Sequence, residues 1–279
     1  MTRTELQTLE GRWRGYVDCF RADGALHPMH QLKLEHSVRV SADARQIAAG
    51  MDWMSEEVNL AEAIGLLHDT ARFPQFATYR TFSDADSVDH GDLGAQILDL
   101  RYSESAFGIP QKKRPEGERQ KENLLDGLAD EPRNLILHSV QYHNKKHLPA
   151  ELTAHEEKHL RLIRDADRLD IFFICWHAIH TGHIHDNPEI AMGIDFNGPP
   201  TDAVLEQFER GEAIDYRNLH SMADRLVLQL SWMHDMSYIA TKRIIRERGL
   251  IEKFISVLPV KTDRLMSCFE TTTALLAAV

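Results

Sequence analysis

Residues 55–69, SEEVNLAEAIGLLHD, decide the fold. Ser55 offers a capping hydroxyl, and Glu56 and Glu57 suit the positive end of a helix dipole. Val58, Leu60, Ala61, Ala63, Ile64, Leu66 and Leu67 then leave scarcely a polar face, so the helix is expected to be buried nearly all round. It ends on His68-Asp69. A carboxylate and an imidazole at the end of a buried helix are costly unless paired or bound to metal, because Asp is almost never buried without a partner.

Working outward, the neighbouring segments are helical as well. Leu6, Leu9, Trp13, Tyr16 and Phe20 recur at spacings of three and four and mark one apolar stripe. A second helix is read from about Gln31 to Ala49. After the doublet, Arg72 to Ser87 mixes aromatics, charges and Pro74 and reads as a structured loop before a helix starting near Asp89. The segment 108–117, GIPQKKRPEG, is an exposed loop tip. Helical pattern resumes from Pro132 to Tyr142 and from Ala154 to about His180, breaks over 186–200, and returns in amphipathic stretches that include Leu219 to Asp235. Only 15 Gly and 10 Pro occur, and period-two runs of β-branched residues are nearly absent, so the fold class is all-α. Residues 1–185 read as one helical domain and 186–279 as a C-terminal helical extension packed on it.

The composition narrows the function. With 43% hydrophobic and 27% charged residues the chain is globular, and its formal net charge of −11 argues against nucleic-acid polymers and anionic membranes as partners. No stretch approaches a membrane span and the N-terminus lacks an apolar targeting segment, so a cytoplasmic location is expected. The 3 cysteines, Cys19, Cys175 and Cys268, lie far apart and offer neither a disulfide framework nor a CxxC zinc site. Any metal must therefore be held by carboxylates and the 16 histidines, a donor mix that suits Fe, Mn, Co, Ni or Zn better than Ca or Mg.

His36 in EHSVRV, His68-Asp69 in AIGLLHDTARF, His90 in DHGDLGAQIL, His143 in VQYHNKKHLP and Asp167 in IRDADRLDIF follow in an order that resembles the HD superfamily of metal-dependent phosphohydrolases. The motifs span roughly residues 30–175, and LVLQLSWMHDMSYIATKRIIRERGLIEKF is similar to the tail of bacterial HD-domain proteins. The resemblance implies an HD-type helical bundle in which His36, His68, Asp69 and Asp167 bind one metal. It also implies that Asp69 bridges to a second metal held by His90 and His143. The cofactor is thus one or two divalent transition-metal ions, Fe, Mn, Ni, Co or Zn. The implied activity is hydrolysis of a small phosphate ester or nucleotide by metal-activated water. A di-iron oxygenase of the HD fold shares the ligand set, and a nucleotide-binding regulator with an idle site is a third reading.

An acidic chain needs a local positive feature to hold an anionic, phosphorylated substrate. Arg72, three residues beyond Asp69, and Lys145, two beyond His143, are expected to act beside Asp69 in catalysis and substrate binding, with Arg80 and Lys146 as further phosphate contacts. Their competing fate is solvated surface charge. Residues 186–279 are open to two roles, walling the pocket or forming a homodimer interface.

Other motifs compete for the metal. Asp165 and Asp170 flank Asp167, and Asp165 faces away from it on a helix; His138, five residues before His143, falls on a different face and reads as a neighbour of the site. His155–His159 reads HEEKH, formally the zinc-protease pattern, but its charged interior after a Pro-containing loop reads as the solvated first turn of a helix, with both histidines at the surface. His177, His180, His183 and His185 in WHAIHTGHIH are expected to line the pocket or support the ligands, with a separate metal site as the alternative.

Overall fold

The polar start and apolar body of 55–69 fold as a helix, and so do their neighbours. A computed structural model describes residues 1–99, 123–186 and 194–278, and no strand occurs among them, so the protein is all-α. The loop read at 108–117 lies outside the described residues. The chain clusters into two compact units, Met1–Asp167 and Arg168–Val279. The divide falls inside a helix of 27 residues, Ala154–His180, rather than at the 185/186 boundary read from the sequence. That helix contains neither Gly nor Pro, so nothing in its composition marks a break.

The first unit holds α1 (Arg3–Asp18), α2 (Pro28–Gly50), α3 (Ser55–Leu67), α4 (Arg72–Tyr79), α5 (His90–Leu98), α6 (Asp130–Tyr142) and the first half of α7 (Ala154–His180). A capping box between Thr2 and Glu5 starts α1, which buries Leu6, Leu9, Trp13 and Val17. Helix α3 is central and packs against α1, α2 and α6, with every residue from Asn59 to Leu67 buried. Two local expectations are corrected. Ser55 is the first helical residue, and the cap position is Met54, which makes no side-chain capping bond. The first half of the loop read over 72–87 is α4, because Pro74 lies in the first turn, where its missing N–H has no helical partner to lose.

Helix α3 approaches α2 more closely than a side chain permits. A Cβ on Gly65 would lie 2.8 Å from the Ser41 Cα and 2.9 Å from the Val40 carbonyl oxygen, both backbone atoms. The Ser41 hydroxyl donates to the Glu62 carbonyl at 2.8 Å across the same contact. This brings His36, on α2, beside His68 at the end of α3. A second close approach joins α5 to α6: a Cβ on Gly94 would meet Val140 Cγ1 at 2.8 Å, and Gly91 lies against Asn144 and the Gln141 carbonyl. His90 begins α5 and His143 follows α6, so this contact brings them together.

The second unit continues α7 and adds α8 (His183–Asp186), α9 (Asp202–Glu209), α10 (Met222–Trp232), α11 (Ile239–Glu247), α12 (Leu250–Val257) and α13 (Asp263–Ala277). Its core includes the buried Phe172, Leu226, Leu230, Phe254 and Phe269. The buried Asp224 carboxylate fixes the start of α10 by accepting bonds from the Thr201 N–H and hydroxyl and from the N–H groups of His220 and Ser221. Among the described residues, no helix is long and apolar enough to cross a membrane.

Gly65→Ala therefore puts a methyl group into backbone, and urea unfolding is expected to show a loss of about 1–3 kcal/mol. Gly11→Ala, on α1 with nothing within 4 Å of the new carbon, is expected to gain about 0.5–1 kcal/mol from helix propensity alone.

Candidate metal centre

Helices α2, α3, α5, α6 and α7 each deliver donors to one buried spot in the first unit. His36 Nε2 lies 3.2 Å from His68 Nε2, 3.3 Å from Asp69 Oδ2 and 3.2 Å from Asp167 Oδ1. His68 Nε2 lies 3.5 Å from Asp69 Oδ2 and 3.7 Å from Asp167 Oδ1. A divalent ion about 2.1 Å from each donor sets neighbouring donors about 3.0–3.4 Å apart, so this spacing suits a shared ion. On the other side of Asp69, His90 Nε2 and His143 Nε2 are 3.0 Å apart, and both face Asp69 Oδ1, at 3.5 and 3.9 Å. The two oxygens of one carboxylate thus face two donor sets.

The imidazoles are oriented from behind. Nδ1 of His68 donates to the Gly65 carbonyl at 2.8 Å, Nδ1 of His143 to the Val140 carbonyl at 2.7 Å, and Nδ1 of His90 to Asp84 Oδ2 at 2.6 Å. A carbonyl can only accept, so in the neutral ring the proton sits on Nδ1 and the Nε2 lone pair faces inward. Burial, with the neighbouring His90 and His68, pushes the His143 pKa down to about 3. Burial and Arg72 also push His90 down, against the pull of Asp84 and Asp69. Two lone pairs facing each other at 3.0 Å repel, and a divalent cation turns the same arrangement into an attractive one. The donor set therefore fits a metal.

Two cationic side chains adjoin Asp69. Lys33 Nζ lies 2.8 Å from Oδ2 and Arg72 Nε 3.4 Å from Oδ1. Burial raises the Asp69 carboxyl, but Lys33, His68, His36 and Arg72 outweigh it and hold the group well below the ordinary range. Asp167 behaves alike, with the neighbouring His36 and His68 rings holding it well below the ordinary range against its burial. His36, His68, Asp69, His90 and His143 are all buried, whereas the Asp167 side chain is 23% exposed and marks the open side.

Other expected residues lie further out. Arg80 takes the left-handed position ending α4, with its guanidinium over the Phe76 ring. Lys146 is exposed. Lys145 pairs with Asp89 at 2.7 Å and Asp92 at 2.8 Å, tying the start of α5 to the end of α6, and these carboxylates overcome burial to raise its pKa. His138 is exposed and bonds Glu156 at 2.6 Å, away from the cluster, because its turn of α6 presents it to solvent. The surface reading of HEEKH holds in part: His155 is half-exposed, but His159 is fully buried. Residues four apart share a helix face, and that face meets Trp53 and Glu57. His177 stacks on Phe173 and His180 on Trp176, and among the described residues these histidines form no converging donor group.

Sequence reasoning passed over Lys33, Asp84, Asn144 and Arg164. Lys33 sits three residues before His36 and shares its helix face, a signal that was available. Asp84 belongs to the 80–89 connection, where no periodicity points at a target. Its carboxylate accepts from His90, Arg72, Gln75 and Asn144, which hold its pKa far below normal despite burial. Arg164 donates to the His143 and Lys145 carbonyls and caps the end of α6 from α7.

A helical frame with imidazole and carboxylate donors gathered between its helices defines a metal-binding all-α domain. The HD domain family model matches residues 34–171, a span that contains all six donors, and the chain belongs to the HD superfamily. No curated protein and no solved structure matches the chain.

Two outcomes follow from this geometry. Asp84→Asn is expected to weaken metal binding in chelator-competition titrations by about 10–100-fold, because it loosens the carboxylate that orients His90. In metal-free protein, His143 titrates near 6.5 unfolded and near 3 folded. The unfolded state binds more protons between those values, so stability falls as pH drops through that window. His143→Gln is expected to make that fall shallower in urea midpoints measured from pH 6.5 to 4.

Proposed function

We propose that the protein is a metal-dependent phosphohydrolase acting on a small phosphate ester or nucleotide. The observation that carries this reading is Asp69, whose two oxygens face separate donor sets while Lys33 and Arg72 adjoin the same carboxylate. His36, His68, Asp69 and Asp167 would hold one ion, and Asp69, His90 and His143 a second. Bound divalent ions of the Fe, Mn, Co, Ni or Zn group supply an acidified water as nucleophile and neutralise phosphoryl charge.

The remaining work falls to the chain. Arg72 Nη1 is fixed by the Gln75 side chain, the Phe82 carbonyl and Asp84, and Nε has no hydrogen-bond partner. The guanidinium is thereby held rigidly with an unused donor next to Asp69, a geometry suited to a phosphate oxygen. Lys33 presents a compact point charge on the other side of Asp69. With an ion held at Asp69, Lys33 and Arg72 would be released from that carboxylate and could meet the substrate anion. Lys145, bound between Asp89 and Asp92, keeps His90 and His143 in register, while Arg80 and Lys146 would be at most outer phosphate contacts. The acidic surface disfavours polyanions, which fits a small substrate and not a nucleic-acid chain.

The test is elemental analysis of protein purified without chelator, followed by a metal-supplemented screen of phosphomonoesters and nucleotides. Asp69→Ala is expected to lose metal and to slow phosphate release by at least about 100-fold. Lys33→Ala is expected to keep its metal and raise KM about tenfold. Full phosphatase activity in Asp69→Ala or in stripped enzyme sinks the proposal. Two irons with oxygen-dependent turnover and no phosphate release would support the oxygenase instead.

A further inference from the structure

Away from the HD site, one other group of metal-ligating side chains converges among the described residues: Glu57, His155 and His159. Glu57 lies in the first turn of α3, and the two histidines sit one turn apart at the start of α7. His155 Nε2 lies 2.9 Å from Glu57 Oε2 and 3.1 Å from Oε1, and His159 Nε2 lies 2.9 Å from Oε2. Lys158 Nζ also reaches Oε2 at 2.9 Å. Three donors thus converge on one carboxylate, His155 shared between its two oxygens and Lys158 and His159 on Oε2. His159 is fully buried, its Nε2 donates to the Glu57 carboxylate, and its Nδ1 has no partner. Its ring is instead set edge-on to Trp53 at 5.1 Å.

We propose that Glu57, His155 and His159 form a separate binding site for a divalent ion of the borderline class, Zn²⁺ foremost, which pins the start of α3 to the start of α7. Two imidazoles and one carboxylate are a zinc donor set, and histidines four apart on a helix present both rings to one ion. Two of the donors are in ligand form near neutrality: Glu57 is held down to about 2 by Lys158 and the histidines against its burial, and burial lowers His159 to about 4. Zinc displaces Lys158 from the carboxylate, and the displaced ammonium retains the Trp53 ring, whose centroid is 3.9 Å away. His155 is 36% exposed, which leaves a side from which an ion and its water can enter.

The site is structural and not proteolytic. The residue that would be the general base of an HExxH centre, Glu156, accepts bonds from the Thr153 N–H and hydroxyl and from His138 Nδ1, and so serves as a capping carboxylate. The pin acts on the two helices that also carry the HD donors, with His68 at the far end of α3 and Asp167 further along α7.

The experiment loads full-length protein with ZnCl₂, removes free ion on a desalting column and counts zinc by mass spectrometry. In a His68→Ala/Asp69→Ala chain, which lacks the HD site, about one zinc per chain is expected to remain, and adding His155→Gln is expected to remove it. Zinc is also expected to raise the Tm of the first chain and not of the second. Should His68→Ala/Asp69→Ala not fold, the wild type and His155→Gln are compared directly, with a difference of about one zinc expected. Lys158→Met, which removes the competing ammonium, is expected to tighten zinc binding about tenfold or more. Equal zinc content with and without His155, or zinc binding unmoved by Lys158→Met, overturns the proposal and leaves an ion-pair cluster.

Discussion

The Asp69 carboxylate, buried among four imidazoles and a second carboxylate, sets the terms for the first unit. Removing such a group from water costs several kcal/mol unless cations surround it. Lys33 supplies the largest part of that compensation, and with His68, His36 and Arg72 it outweighs burial strongly enough to keep Asp69 ionised. The imidazoles are a different case. The Nδ1 protons of His68, His90 and His143 are committed to carbonyls and to Asp84, so the inward lone pairs of these three have no proton to share. Only a metal completes that half of the arrangement.

Such a contact demands rigid placement, which the helices achieve by close approach at glycines. Gly65 lets α3 ride against α2, and Gly91 and Gly94 let α5 ride against α6. Each of these approaches lies within about two turns of a donor, so the helix spacing is transmitted to the imidazole spacing with little slack. Asp84, Asn144, Lys145 and Arg164 then lock the start of α5 and the end of α6 around His90 and His143, Arg164 reaching across from α7. The same logic explains why Lys145, near the site in sequence, spends its charge on helix ends: Asp89 caps α5 and Asp92 lies in its first turn.

Much of this was legible in the residues. The all-apolar body of α3 ending in His68-Asp69 declared both a buried helix and a need for a cation, since neither feature depends on tertiary context. The helix ends were less readable. Pro74 suggested a loop because proline breaks helix interiors, yet it fits a first turn equally well. Ser55 had the chemistry of a cap but falls one position too late. Asp84 was invisible because its role is fixed by a connection whose course no periodicity records. The division at Asp167/Arg168 was hidden for the opposite reason, since a continuous helix carries both sides of it.

HEEKH shows why a pattern of residue types is weaker than the place it occupies. Its spacing puts two imidazoles on one face of α7 whatever lies opposite, and the opposite partner decides the chemistry. Here that partner is Glu57, a residue whose position in the sequence suggested no more than a favourable charge at a helix start. The glutamate inside the motif is drawn off to cap its own helix, so the base that proteolysis requires is missing while the donor geometry survives. The −11 charge reads similarly. It says little about what the chain binds until the carboxylates are located, and those at positions 57, 69, 84 and 167 turn out to be buried or half-buried beside histidines or cations, where they act as a scaffold for positive charge.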